Sequence, residues 1–282
     1  MAVPSAVGVL GGGRMGAGIA HAFCTAGASV VVVERDGDAA AAAYERVAAA
    51  LAKSVGRGTA AEPLTTLLGR VRVSLDAADF AGADLVVEAV PEDFSLKAAA
   101  LAAVEEQLAP GGWLASNTSS LSIAELAGRL KRPERFCGLH FFNPVPASEL
   151  IEIILGPQTS AELADAARTW VQDLGKTPVV VRDAPGFASS RLGVAIALEA
   201  MRMVEEGVAS AADIDAAMVL GYKHPTGPLR TTDIVGLDVR LDIAEHLAAT
   251  LGPRFDPPQI LRDKVARGEL GRKTGTGFFT WQ

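Results

Sequence analysis

His140 and Glu152 have the residue types and the spacing to move a proton. His140 lies in the apolar segment Phe136 to Phe142 (FCGLHFF), and Glu152 lies in the next one, Glu149 to Leu155 (ELIEIIL). A carboxylate partner stabilises an imidazolium and fixes the tautomer of the ring, as a positioned general base requires. The competing reading is a satisfied core histidine, which for a lone histidine is the commoner situation. Glu152 alternates with Ile151 and Ile153, an unusual place for a purely structural carboxylate. A second polar group, Ser116-Asn117-Thr118-Ser119-Ser120, follows the short apolar run Trp113 to Ala115. It can cap the helix expected over Ser122 to Leu130, yet a cap uses only one or two such residues.

The third group is the glycine cluster Gly11-Gly12-Gly13-Arg14-Met15-Gly16. It sits between the apolar run Val7 to Leu10 and a helical pattern from Ala17 to Ala26, and Val30 to Val33 follows as a second β-branched run ending at Glu34. Strand, tight turn, helix and strand in this order are the footprint of a dinucleotide-binding βαβ unit. Gly11 permits the turn, Gly13 lets the backbone approach a pyrophosphate, and Gly16 lets the helix pack on its strand. The helix N-terminus offers unpaired N–H groups and a partial positive charge to the phosphates. Glu34 can accept hydrogen bonds from both ribose hydroxyls and repels a 2′-phosphate, which favours NAD over NADP. Arg35 is the competing signal, because a guanidinium there can pair with that phosphate.

These groups need a large scaffold, and 282 residues suffice for two domains. Hydrophobic residues make up 49% and charged residues 21%, a globular balance. The net charge of −7 comes without a basic run, which argues against nucleic acid as a partner. The apolar content reflects alanine and valine, and no stretch has the length of a membrane span. The first ten residues run into a strand with no basic leader or cleavage site, and two cysteines imply no disulfide framework. A cytoplasmic protein is expected, with no metal site.

The elements that must position the three groups alternate through the first part of the chain. Residues Ala39 to Leu68 read as a helical hairpin interrupted at Val55 to Thr59, with Lys53 either on a solvated face or against an anionic ligand tail. Val71 to Val73 and Ala83 to Val90 read as strands, the second a near-continuous apolar run of the kind buried on both faces. It ends at Pro91-Glu92-Asp93. Polar residues at the carboxyl end of such a strand face the ligand side, which singles out Glu92 and Lys97, although a surface turn and an ordinary helix start explain them as well. Helices are expected over Leu96 to Leu108 and Ala161 to Leu174, and a strand over Pro178 to Arg182. Asp183-Ala184-Pro185-Gly186 then breaks the pattern. Beyond it only helices are expected: Phe187 to Glu206, Ala211 to Leu220, Thr231 to Leu251 and Gln259 to Arg267. The expected division is a Rossmann-type α/β domain over residues 1–184, with the hairpin inserted at about 39–68, and a smaller all-α domain over 185–282.

Taken together, GGGRMGAGIA, ADLVVEAVPE, SNTSSLSI, GLHFFNPVP, LIEII, DAPGF, DIDAAM, GYKHPTGP, DIVGLD and GRKTGTGFF resemble the 3-hydroxyacyl-CoA dehydrogenase family, particularly its short 3-hydroxybutyryl-CoA members. The resemblance runs nearly end to end. It implies NAD-dependent oxidation of a (3S)-3-hydroxyacyl-CoA and the reverse reduction. His140 would be the general base, Glu152 its orienting partner, and Ser119 a hydrogen-bond partner of the substrate oxygen. Gly11, Gly13, Arg14, Met15, Gly16 and Glu34 would meet the cofactor, with Glu92, Lys97 and Asn117 toward its nicotinamide ribose. Asn143 and Ser190 would meet the substrate, Lys53 its CoA, and the helical domain would form a homodimer. Two departures stand out. Ser190 in PGFASSR occupies a position where the family usually has Asn, and Arg230 in GPLRTTD one where relatives often carry Glu. They bear on acyl preference and on the thioester carrier more than on the reaction type. The rival readings are a relative acting on a carrier-protein-bound hydroxyacyl group or a free hydroxy acid, and a non-catalytic NAD-binding protein.

Overall fold

A computed structural model describes residues 3–281. The chain forms two compact units that divide between Asp183 and Ala184.

The first unit is built on one eight-stranded sheet. In chain order its strands are β1 (Ala6–Leu10), β2 (Ser29–Val33), β3 (Val71–Ser74), β4 (Leu85–Glu88), β5 (Trp113–Ser116), β6 (Phe136–Phe141), β7 (Leu150–Leu155) and β8 (Thr177–Arg182). Their spatial order is β3-β2-β1-β4-β5-β6-β7-β8. The first six run parallel, β7 reverses against β6, and β8 follows β7. Strand order changes direction between β1 and β4, and the crevice outside the carboxyl ends of those strands is where such sheets take ligands. The helices of this unit are α1 (Arg14–Thr25), α2 (Gly37–Gly56), α3 (Leu64–Gly69), α4 (Phe94–Gln107), α5 (Ile123–Ala127) and α6 (Ala161–Asp173). Asp36 caps α2 by accepting from Ala39 N at 2.8 Å, and Asp93 caps α4 through Leu96 N at 2.8 Å. The β-branched runs of β1, β2 and β4 are buried against Ile19, Phe23, Val47 and Leu51 of the helices.

The expected hairpin takes a different form. Its first arm, α2, begins at Gly37 and runs unbroken to Gly56, and its second arm shrinks to the six residues of α3. Pro63 holds the N-cap of α3, where a ring without an N–H stops the helix from extending backward. The helix expected over Ser122 to Leu130 is only Ile123–Ala127, and its cap is Ser122 accepting from Glu125 N. The polar run 116–120 therefore lies outside that cap.

The second unit contains α7 (Ser189–Glu205), α8 (Ala211–Ala216), α9 (Pro228–Val235), α10 (Leu237–Leu251) and α11 (Gln259–Ala266). Two expected helices are modified. Ala211 to Leu220 passes into a wider π turn at Ala217–Gly221. Thr231 to Leu251 is two helices, because Gly236 at φ +111° adopts a conformation that L side chains avoid and that no helix passes through. Val194, Leu198, Met201, Leu237, Leu247 and Leu261 form the core of this unit. Asp233 is 1% exposed and accepts from Phe278 N, Phe279 N and Trp281 Nε1, so the DIVGLD segment holds the GRKTGTGFF tail. Asp215 accepts from Leu229 N and Arg230 N at the start of α9, joining DIDAAM to HPTGP. Arg230 stacks over the rings of Phe279 and Trp281 at 4.6 and 5.1 Å. Among the described residues no helix is long and apolar enough to cross a membrane.

A methyl group at Gly16 would collide with the carbonyl of Gly11, whereas one at Gly13 would meet nothing within 4 Å. Gly16→Ala is expected to lose about 1–3 kcal/mol of stability, the usual cost of overpacking, and Gly13→Ala less. Urea unfolding of the two variants measures the difference.

Candidate active site

The carboxyl ends of β1, β4, β5 and β6 surround a cavity of about 350 Å³. Met15, Ala89, Glu92, Lys97, Asn117, Ser119, His140, Phe142 and Asn143 all line it. Segments spread over more than a hundred residues of sequence meet there because parallel strands deliver their final residues to one edge.

On the cofactor side, Gly11 has φ +90° and donates its N–H to Val33 O at 2.9 Å, tying the turn to the end of β2. Gly13 is the N-cap of α1, and the space over it is open. Arg14 is exposed on the first turn of α1, next to Met15. Glu34 accepts from Gly12 N at 2.6 Å and from Arg35 N at 3.1 Å, so its carboxylate sits between β2 and the glycine turn. Arg35 is exposed and directs its Nε to Asp36 at 2.9 Å. The competing cation is thereby engaged by its neighbour.

Glu92 is fastened to the polar loop. Its Oε1 accepts from Thr118 Oγ1 at 2.6 Å, Ser119 N at 2.8 Å and Ser120 Oγ at 3.1 Å, and its Oε2 lies 3.3 Å from Lys97 Nζ. Burial by itself would raise the Glu92 pKa. Lys97 and the donors of Thr118, Ser119 and Ser120 outweigh it and hold the carboxyl below the usual value. Lys97 is only 1% exposed and donates to Glu88 Oε1 at 2.7 Å and to Val90 O at 3.0 Å. Glu92 Oε2 completes its surroundings as an ion-pair partner at 3.3 Å. Ser119 stands exposed at the cavity, and Asn117 Oδ1 accepts from Phe141 N at 2.9 Å, pinning the end of β5 to the end of β6.

His140 and Glu152 are directly opposite each other in the antiparallel β6–β7 ladder, so both side chains stand on one face. His140 Nδ1 lies 2.8 Å from Glu152 Oε2. Glu152 is fully buried and His140 is 6% exposed, with the Phe142 ring 4.3 Å from the imidazole. A buried carboxylate at Nδ1 selects the tautomer whose Nε2 carries the lone pair, the form that accepts a proton. Asn143 follows on the same cavity wall.

Two expected site residues lie elsewhere. Lys53 is exposed on α2 and lines a different cavity of about 530 Å³ with Arg57, Thr59, Pro144 and Lys176. Consecutive residues, Asn143 and Pro144, line the first and the second cavity respectively. Ser190 lies in the first turn of α7, in the second unit. Sequence reading passed over Glu88, although a lone acid inside the apolar run ADLVVEAV was a usable signal. It also passed over Lys176, which donates to Val145 O at 2.8 Å and whose pKa burial lowers.

Residues 6–184 match the family described as 3-hydroxyacyl-CoA dehydrogenase, NAD binding domain, and residues 186–281 its C-terminal domain. The chain is 41% identical to the probable 3-hydroxybutyryl-CoA dehydrogenase of Deinococcus radiodurans, over 97% of this chain and 99% of that one. It is 39% identical to the 3-hydroxybutyryl-CoA dehydrogenase of Mycobacterium tuberculosis, over 98% of both. The crystal structure of (S)-3-hydroxybutyryl-CoA dehydrogenase from Ralstonia eutropha superposes with a TM-score of 0.94 at 37% identity, covering 99% of each chain.

Glu92, with its folded pKa lowered, contributes stability that is present above the ordinary carboxylate value of about 4.3 and is lost as pH falls through the lowered value. The difference in melting temperature between the wild type and Glu92→Gln is expected to be largest near neutrality and to close in acid. Melting curves across pH test this.

Proposed function

The chain belongs to the 3-hydroxyacyl-CoA dehydrogenase family, and on that basis we propose that it oxidises a (3S)-3-hydroxyacyl-CoA with NAD and catalyses the reverse reduction. The observation that carries this reading is the 2.8 Å contact of His140 Nδ1 with buried Glu152 beside a cavity that also holds Ser119 and Asn117. Hydride acceptance belongs to the nicotinamide, which residues of the glycine turn and Glu34 fit. The protein supplies position, a base and exclusion of water.

His140 takes the proton of the C3 hydroxyl at Nε2 as the carbonyl forms, and Glu152 stabilises the resulting imidazolium. Ser119 hydrogen-bonds the same oxygen from the mouth of the cavity. Gly11, Gly13, Arg14, Met15 and Gly16 receive the pyrophosphate, Glu34 the adenosine ribose, and Glu92, Lys97 and Asn117 the nicotinamide ribose. Asn143 lies on the acyl side, and Ser190 is assigned to substrate contact from the family position it occupies. The cavity with Lys53 and Arg57 offers cations to the phosphates of CoA. The α/β domain of residues 1–184 thus carries the cofactor, the base and the substrate contacts of Ser119, Asn143 and Lys53, and 185–282 adds the contact of Ser190 and the dimer function.

A homodimer is supported by the large apolar side chains that the second unit leaves exposed, among them Leu192, Leu220 and Tyr222. Buried thiols at Cys24 and Cys137, pushed up to about 11 and about 12 by loss of solvent, suit a cytoplasmic enzyme without disulfides.

With acetoacetyl-CoA, loss of the near-ultraviolet band of NADH is expected to be rapid and that of NADPH slow. Silence with both cofactors would sink the proposal. His140→Gln is expected to lower kcat by roughly a hundred- to ten-thousand-fold, and a rate within a few-fold of wild type would remove His140 from the mechanism. Replacing Lys53 and Arg57 with Met is expected to raise KM for the acyl-CoA about two- to fivefold, the effect of exposed charges, with less effect on KM for NADH.

A further inference from the structure

Glu88 takes no part in the proton transfer, yet it is a fully buried charge directly behind the cavity. Its Oε1 accepts from Lys97 Nζ at 2.7 Å and from Val90 N at 2.6 Å, and its Oε2 accepts from Ser116 Oγ at 2.6 Å. Each of these arms reaches a different part of the wall. Val90 and Ala89 line the cavity, and Ala89 O packs on the glycine turn, 3.1 Å from where a Cβ of Gly11 would stand. Ser116 Oγ accepts from Thr118 N at 3.2 Å, at the head of the loop that carries Asn117 and Ser119. Lys97 passes the connection on to Glu92.

We propose that Glu88 is a positioning residue for cofactor binding, its buried carboxylate holding Lys97, and through Lys97 also Glu92, in the places from which they serve the nicotinamide end of the cofactor. This rests on reading the cavity as the nicotinamide site. The charge is what matters. Lys97 lies between two carboxylates and the Val90 carbonyl, with no solvent to share its charge. If Glu88 is made neutral, Glu92 becomes the one ion-pair partner left to Lys97 among the described residues. Attraction then draws the buried ammonium and the half-buried Glu92 carboxylate together. Glu92 can follow only by leaving its donors on Thr118, Ser119 and Ser120, and that loop carries the groups that face the ligand. A purely structural carboxylate would instead affect melting without acting through Lys97.

Glu88→Gln keeps the size and most of the hydrogen bonds while removing the charge. The double variant Glu88→Gln/Lys97→Met removes both charges, and it is preferred to Lys97→Met alone, which would strand Glu88 as an unpaired buried anion. NADH binding is read by fluorescence titration of the intact protein, with melting temperatures alongside. Binding by the wild type tests the cavity reading by itself. Given that binding, Glu88→Gln is expected to raise the Kd about tenfold, as the loss of a hydrogen bond to a charged group does. Adding Lys97→Met is expected to change the Kd by less than about twofold more, because residues acting as one unit are not additive. Should Glu88→Gln not fold, the double variant against wild type carries the same tenfold expectation. A Kd for Glu88→Gln within twofold of wild type would overturn the inference. So would a further loss of about tenfold in the double variant, the mark of two residues acting independently.

Discussion

The acid–base pair at the candidate site depends on the reversal of strand direction between β6 and β7. Six parallel strands send their carboxyl ends to one edge of the sheet, but a seventh parallel strand would start at the opposite edge. Because β7 runs back, its first residues lie beside the last residues of β6, and Glu152 falls opposite His140. The side-chain period of a strand is two, so a slip of one residue would turn Glu152 to the other face. Ile151 and Ile153 guard against that slip, since both are fully buried in the apolar face on the opposite side. Packing of isoleucine thus enforces the geometry of an acid–base pair.

Charge burial is the second constraint. Glu88, Lys97 and Glu152 are all nearly or fully excluded from water, a costly arrangement unless each charge is compensated and hydrogen-bonded. Glu88 and Lys97 compensate one another, and the remaining donors and acceptors are met by Val90 and Ser116. Such groups tolerate little displacement. Their cost is offset by the surrounding sheet, whose apolar strands hold them in register. Arg35 and Asp36 show the opposite case: exposed to solvent, their pairing decides where a guanidinium points but adds little to stability.

The second unit gives a different meaning to its motifs. DIVGLD, DIDAAM, HPTGP and GRKTGTGFF are as distinctive in sequence as the segments around His140, yet in the fold they largely serve each other. Asp233 collects the tail and Asp215 starts α9. Gly277 and Gly271 are the residues that let the tail approach Asp233 without collision. Arg230 stacks on the aromatic rings of that tail. Motif strength in this unit reports packing as much as chemistry.

Local signals were enough for the glycine turn, the order of strands and helices, and the acid at Glu34. Each depends on neighbours in sequence: conformational freedom at Gly11, β-branched runs, an acid at a strand end. They were not enough where a single residue outweighed the pattern around it, as with Pro63 shortening α3 and Gly236 dividing α9 from α10. Glu88 escaped notice because its partners Lys97 and Ser116 are distant in the chain and its own surroundings read simply as a buried strand. Sequence by itself determined which residue types could do the chemistry and the family to which their spacing points. Only the tertiary structure decided that His140 meets Glu152, that Lys97 is enclosed by Glu88, Val90 and Glu92, and that Arg35 turns to Asp36. Those are contacts between groups whose distance is set by strand register and burial, and neither quantity is written in any one segment.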